Sequence, residues 1–269
     1  SRKTLMLDNL SGATRVHFIV GDPIAQVKSP FGVTQAFEAV GQNAICIPAH
    51  VETSELKTWF DGVSCAKNVD GIIVTVPHKF DCQTLCTTLS ERAHFLGAVN
   101  TMRRNANGTW HGDMFDGLGY IKAIQDKGFN LSHTKVLLVG AGGAGSAIAH
   151  SLVLAGVHEL LIHDENTQRR DALIERLNGL KLATVRPGTT SPLGMDVVIN
   201  ATPLGMKTAD PSPVQLQEIS KDMFVGCVIT VPAISPLIAH ARTLGCNTST
   251  GADMFVQVRE LMIDFLLAA

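Results

Sequence analysis

Residues 135–145 read Lys135-Val-Leu-Leu-Val-Gly140-Ala-Gly142-Gly143-Ala-Gly145, a β-branched apolar run that enters a glycine turn. The run has the length and composition of a buried strand. The stretch after it, Ser146-Ala-Ile-Ala-His-Ser-Leu-Val-Leu154, reads as a helix. Gly140, Gly142 and Gly145 satisfy G-x-G-x-x-G in the strand–turn–helix setting that gives the pattern meaning. Each glycine has its own reason. The first permits a tight turn, the second lets a pyrophosphate approach the backbone, and the third lets the helix pack close to its strand. The helix start adds unpaired N–H groups and the positive end of its dipole. A turn that needs glycine for packing alone is the plainer explanation, and the flanking elements weigh against it. Gly140, Ala141, Gly142, Gly143 and Ala144 are therefore candidate phosphate-binding residues.

A second apolar strand, His158–His163, ends in Asp164-Glu165-Asn166. A carboxylate about 20 residues beyond the glycines can accept hydrogen bonds from ribose hydroxyls and repels a 2′-phosphate. The expected cofactor is NAD, with NADP disfavoured. Asp164 and Glu165 also suit the start of a helix near Thr167, where acidic residues are favoured. The two roles are compatible.

Outward from this segment the chain alternates strands and helices. Strands are expected at Arg15–Val20, Ala44–Pro48 and Asp70–Val76, with helices at Phe31–Val40 and from Thr53 or Ser54 to about Ala66. Pro48 marks the end of its strand or an edge. Asn105-Ala-Asn-Gly108 is a turn signal between two short strands, and a helix starts at Asp116. Further strands are expected at Leu182–Arg186, Asp196–Ile199 and Phe224–Ile229, and a helix at Asp253–Leu267. The fold class is α/β with two domains. One is an N-terminal α/β substrate domain, residues 1–115, completed by a C-terminal helix at 250–269. The other, residues 116–249, is a Rossmann-type doubly wound parallel sheet that binds a dinucleotide in a cleft.

Composition bounds the function. The net charge of −2 offers no basic stripe for nucleic acid, and no run of about 18 apolar residues exists to span a membrane. The first residues lack the apolar stretch of a secretory signal. Six cysteines occur without a C-x-x-C pair, which fits reduced thiols in the cytoplasm. Cys82 and Cys86 lie one helical turn apart, but no His or Cys cluster completes a metal site, so no metal is expected. A small-molecule substrate is the expected partner; a homodimer is left open.

Hydride transfer between an alcohol and a ketone needs a group that moves the hydroxyl proton. Lys79 follows the buried strand in Val74-Thr-Val-Pro-His-Lys79, well placed for that work. A lysine is more often a solvated charge. Asp116 opens its helix, where aspartate is a common cap.

Seven ordered blocks resemble the shikimate/quinate dehydrogenase family over nearly the whole chain. They are Gly21-Asp-Pro-Ile-Ala-Gln-Val-Lys-Ser-Pro30, Val74-Thr-Val-Pro-His-Lys79, Gly97-Ala-Val-Asn-Thr101, Asp116-Gly-Leu-Gly119, Gly140-Ala-Gly-Gly143, Asn200-Ala-Thr-Pro-Leu-Gly-Met206 and Gly251-Ala-Asp-Met254. The resemblance implies a catalytic Lys79–Asp116 pair beside the reacting hydroxyl. It implies substrate contacts from Ser29, Thr75 and Asn100. Ala201, Thr202, Pro203 and Met206, with Gly251 and Met254, would border the nicotinamide.

This chain departs from the family in its substrate shell. Val27 stands where the first Ser of Ser-x-Ser is usual, Met114-Phe115 replaces Asn-Thr before Asp116, and Thr230 replaces a tyrosine. Val258 stands at the usual glutamine, with Gln257 one residue early and so rotated by about 100°. Asp164-Glu165-Asn166 replaces the Asn-Arg-Thr of NADP-binding members, which removes an arginine partner for a 2′-phosphate. The expectation is a divergent member with a changed pocket. It is an NAD-dependent oxidoreductase acting on a small cyclic polyol or hydroxy acid, with a weakened grip on an acid group unless Lys28 turns inward, and with Met114 and Phe115 either adding apolar bulk beside Asp116 or packing into the hinge core. Two alternatives stand beside it: a true quinate or shikimate dehydrogenase using NAD or NADP, and a nucleotide-binding regulatory protein without turnover.

Overall fold

The computed structural model describes residues 8–268. Residues 1–7 of the segment inspected for a secretory signal, and residue 269 at the other end of the expected first domain, lie outside them. The chain divides into two compact units. One runs up to Phe115 and resumes at Arg259; the other is Asp116–Val258.

The first unit contains β1 (Arg15–Gly21), α1 (Ser29–Ala39), β2 (Ala44–His50), α2 (Leu56–Ser64), β3 (Val69–Val74), α3 (Lys79–Leu85), β4 (Thr88–Leu89), α4 (Glu91–Leu96), β5 (Thr101–Arg104) and β6 (Trp110–Asp113). They form one sheet in the order β2-β1-β3-β5-β6-β4. β1 lies parallel to β2 and β3, while β5 is antiparallel to both β3 and β6. Ile72, Ile73 and Val74 are buried, as a strand covered on both faces requires. The β5–β6 hairpin closes where Asn105 N–H donates to Thr109 O at 2.7 Å. β2 continues through Pro48 because it is an edge strand paired only with β1, so the missing N–H costs no ladder bond.

The second unit contains α5 (Asp116–Asp126), β7 (Lys135–Val139), α6 (Gly143–Leu154), β8 (Glu159–His163), α7 (Thr167–Asn178), β9 (Thr184–Pro187), β10 (Val197–Asn200), β11 (Phe224–Cys227), α8 (Pro236–Thr243) and β12 (Asn247–Ser249). The sheet is parallel throughout, in the order β12-β11-β10-β7-β8-β9. That order reverses direction between β7 and β10, the topological switch point where doubly wound sheets bind ligands. Leu137, Val139, Val198, Val225, Leu237 and Ile238 lie in its core. α9 (Gly251–Leu267) follows, with residues through Val258 in the second unit and those from Arg259 in the first.

Three short helices (α3, α4 and α8) and two short strands (β4 and β12) carry too few residues to display a full hydrophobic period, and the pattern reading omits them. No helix among the described residues is long and apolar enough to cross a membrane.

Candidate functional site

In the first unit the candidate residues sit where the parallel strands β1 and β3 end. Thr75 N–H donates to Val20 O at 3.0 Å, and Asp22 N–H donates to Val76 O at 3.0 Å, which ties the two exits together. His78 is fully buried, and its Nε2 pairs with Val51 O at 2.7 Å. Lys79 starts α3 and is half-buried, so it stands on a helix start rather than on a strand end. Its carbonyl accepts from Val99 N–H at 3.0 Å. The next residue, Asn100, is buried; its Oδ1 accepts from Phe115 N–H at 3.1 Å and from Thr101 Oγ1 at 3.2 Å. One amide side chain therefore fixes the chain just before Asp116. Ser29 opens α1 and is buried. Lys79, Thr75, Ser29 and Asn100 thus belong to one unit, and Asp116, first residue of α5, to the other.

Of the two readings of Met114 and Phe115, the packing agrees with the core. Both are buried, and Phe115 packs edge-on against Phe265 with ring centroids 5.4 Å apart. Burial of a ring in the sheet core stabilises more than exposure in a polar site would, and that decides their orientation.

The second unit presents the glycine turn in the geometry its spacing implies. Gly140 has φ 109° and faces the Ala201 carbonyl, which a Cβ would approach to 2.9 Å. A Cβ at Gly145 would run into the Gly140 carbonyl oxygen. Gly142 differs: a Cβ there would meet only Arg169 Nη1, at 3.8 Å. Gly142 caps α6 without a side-chain hydrogen bond, and the helix start at Gly143 is exposed with Ala144 half-buried, so the first N–H groups there are open to a ligand. A diphosphate fits such a cradle.

Asp164 follows β8 and is almost fully buried. Oδ2 accepts from Ala141 N–H at 2.7 Å and from Arg169 Nη2 at 2.8 Å; Oδ1 accepts from Asn166 N–H at 2.8 Å. Burial favours its neutral form, but these donors outweigh that and hold the carboxyl below its ordinary pKa. Asn166, not Asp164 or Glu165, caps α7, accepting from Arg169 N–H at 3.0 Å. Glu165 is exposed. The sequence reading missed Arg169. The signal was present, because a residue three positions past an Asn cap lies on the first helical turn and can fold back over the preceding loop.

Asn200 is buried at the end of β10 and shapes the loop that follows. Its Oδ1 accepts from Thr202 N–H at 3.0 Å and from Thr202 Oγ1 at 2.6 Å, and its Nδ2 donates to Leu204 O at 3.1 Å. Ala201, Thr202, Pro203 and Met206 ride on this loop, with Met206 exposed. Gly251 and Met254 lie on the first turn of α9, capped reciprocally: Thr250 N–H donates to Asp253 Oδ2 at 2.9 Å and Asp253 N–H to Thr250 Oγ1 at 3.2 Å. Val258 packs onto Gly119 of α5, its backbone nitrogen 2.9 Å from where a Cβ would sit. Gln257 donates to Asp126. Among the described residues no group of three His, Cys, Asp or Glu could hold a metal ion.

Comparison with known proteins matches both halves of the chain. A family model described as the shikimate dehydrogenase substrate binding domain matches residues 19–102, and one described as the ThiF family matches residues 120–168. A shikimate dehydrogenase (NADP(+)) of Rubrobacter xylanophilus is 33% identical over 257 residues, covering 94% of this chain and 90% of the relative. A quinate/shikimate dehydrogenase (NAD(+)) of Corynebacterium glutamicum is 31% identical over 237 residues, covering 84% and 81%. The crystal structure of shikimate 5-dehydrogenase from Listeria monocytogenes, in complex with shikimate and NAD, has a TM-score of 0.89 at 25% identity, covering 97% of this chain and 94% of that one.

Proposed function

The chain belongs to the shikimate dehydrogenase family, and from that premise we propose that it is an NAD-dependent dehydrogenase of a small cyclic hydroxy acid or polyol. The observation that carries this reading is the open face of Gly142 at an uncapped helix start, with the buried Asp164 carboxylate bonded to the Ala141 N–H of the same turn. The first group suits a diphosphate and the second a ribose diol. Arg169 neutralises part of the Asp164 charge, so discrimination against a 2′-phosphate is smaller than a lone carboxylate would give. NAD is still favoured, because Arg169 is already committed to a carboxylate that stays ionised at neutral pH.

A bound nicotinamide supplies the hydride acceptor. Lys79 Nζ takes the proton from the substrate hydroxyl during oxidation and returns it during reduction. Asp116 is the second member of the acid–base pair, a carboxylate that accepts from the same substrate hydroxyl. Ser29, Thr75 and Asn100 hold the remaining oxygens of the substrate. The buried hydrogen-bond set of Asn100 keeps the chain ahead of Asp116 rigid, which supports precise positioning.

The test is NADH fluorescence after mixing the protein and NAD with a panel of cyclic hydroxy acids and polyols that includes shikimate and quinate. The expected result is a progressive rise with at least one compound. Cofactor binding with no NADH formed across the panel would support the regulatory reading instead.

A further inference from the structure

We propose that Arg259 holds a carboxylate on the substrate and sets the preference of the site for acids. The proposal rests on the dehydrogenase reading above and names the substrate class of that site. Arg259 is the first residue of α9 that belongs to the first unit. Its side chain lies along α1, against Gly32. A Cβ at Gly32 would sit 2.8 Å from Nη1, 3.4 Å from Cζ and 3.5 Å from Cδ. Glycine is a poorer helix former than alanine, and here its bare face is covered by a guanidinium.

Arg259 is half-buried and makes no hydrogen bond or ion pair with any described residue. A guanidinium carries five donors in a planar fork and is charged at every accessible pH. Removing part of it from water without a partner is costly, and an oxyanion ligand offsets that cost. The neighbouring group suits the same ligand. Ser29 precedes Gly32 by three residues, so the two lie on one face of α1, with Cβ positions about 5–6 Å apart by helical geometry. Ser29 is only 8% exposed, and its hydroxyl likewise has no described partner. Lys28, at the cap position, makes no side-chain cap hydrogen bond to this helix start, so the peptide dipoles add to the attraction for an anion.

This arrangement revises the expectation drawn from Val27. A hydroxyl donor is absent there, but a cation approaches from the far end of the chain onto the same helix. A fork that meets both carboxylate oxygens binds an acid more strongly than a hydroxyl does. The acid group of a cyclic hydroxy acid would be held between Arg259 and Ser29, with the ring hydroxyls left to Thr75, Asn100 and Lys79.

The experiment measures calorimetric affinity, and kcat/KM where turnover occurs, for shikimate and quinate against their uncharged carboxamides. It compares the wild type with Arg259→Met, Arg259→Lys and Gly32→Ala. The predicted wild type prefers the acids. In Arg259→Met the acid-to-carboxamide ratio falls at least about tenfold, through KM rather than kcat. Lysine retains part of the preference. Gly32→Ala also lowers the ratio, because its Cβ displaces the guanidinium, although alanine is the better helix former. An unchanged ratio in Arg259→Met, an equal loss for acid and carboxamide, or a wild type that binds neither acid would overturn the proposal. If the wild type binds the acids without oxidising them, the dehydrogenase reading fails on its own, and the affinity ratio still judges Arg259.

Discussion

Arg169 Nη2 donates to Asp164 Oδ2 at 2.8 Å, and the same oxygen accepts the Ala141 N–H at 2.7 Å. The glycine turn, the acidic residue after β8 and the first turn of α7 are thus one hydrogen-bonded unit. Cofactor choice follows from it. A 2′-phosphate beside Asp164 meets a carboxylate whose countercharge is already used, so NAD should bind more tightly than NADP by roughly tenfold to a hundredfold. Arg169→Ala removes the cation paired with Asp164 and should widen the ratio. Because its donors hold the Asp164 carboxyl below the ordinary range, Asp164 stays ionised from about pH 5 upward, and the preference should grow as the 2′-phosphate takes its second charge at about pH 6. Calorimetric titration of both oxidised cofactors checks this. Equal or tighter NADP binding by the wild type would count against it.

The glycines of the turn should separate by function. Gly142→Ala meets no protein atom closer than 3.8 Å and has ordinary backbone angles, so its unfolding temperature should match the wild type. Its methyl group would intrude on a diphosphate, and NAD affinity should fall tenfold or more. Gly145→Ala puts a methyl against the Gly140 carbonyl and should destabilise the fold by about 1–3 kcal/mol or more. Urea unfolding and NAD titration of both variants distinguish the two roles. Similar destabilisation in both would mean that the whole turn serves packing.

Acid should weaken the first unit through His17. Burial pushes its pKa down from 6.5 to about 4, against a smaller opposing effect of Asp70. Between those values the unfolded chain binds a proton that the folded chain refuses, so stability falls as the pH drops from about 6.5 towards 4. The full effect is on the order of 3 kcal/mol. His17→Phe keeps an aromatic ring tilted against Phe37, now 4.4 Å from the imidazole, and should flatten this dependence. Thermal unfolding at pH 7 and pH 4.5 measures it. Parallel pH slopes for the two proteins would exclude His17 as the cause.

The parallel sheet of the second unit was legible because Val136–Val139, Leu160–Ile162 and Val197–Ile199 are uninterrupted apolar runs that only a sheet covered on both faces can hide. The glycine spacing likewise located the turn, since each backbone approach there forbids a side chain. Short elements such as α3 escaped because a seven-residue helix exposes no periodic stripe. For Met114 and Phe115 the sequence left pocket and core packing open, since neighbours in sequence to Asp116 need not share its direction. Arg259 was invisible for a different reason. A long charged side chain carries no periodicity, and its partner is chosen by the fold: Gly32 meets Arg259 only when the last helix packs against the first.

The central claim is that Lys79 moves the proton in an NAD-dependent oxidation. The most direct measurement is the steady-state rate of NADH formation by Lys79→Ala and the wild type, with saturating NAD and the best acid of the panel. The account predicts a kcat roughly 10²–10⁴-fold lower in the variant, with NAD affinity unchanged because the cofactor residues lie in the other unit. A variant that keeps most of its kcat would contradict the account.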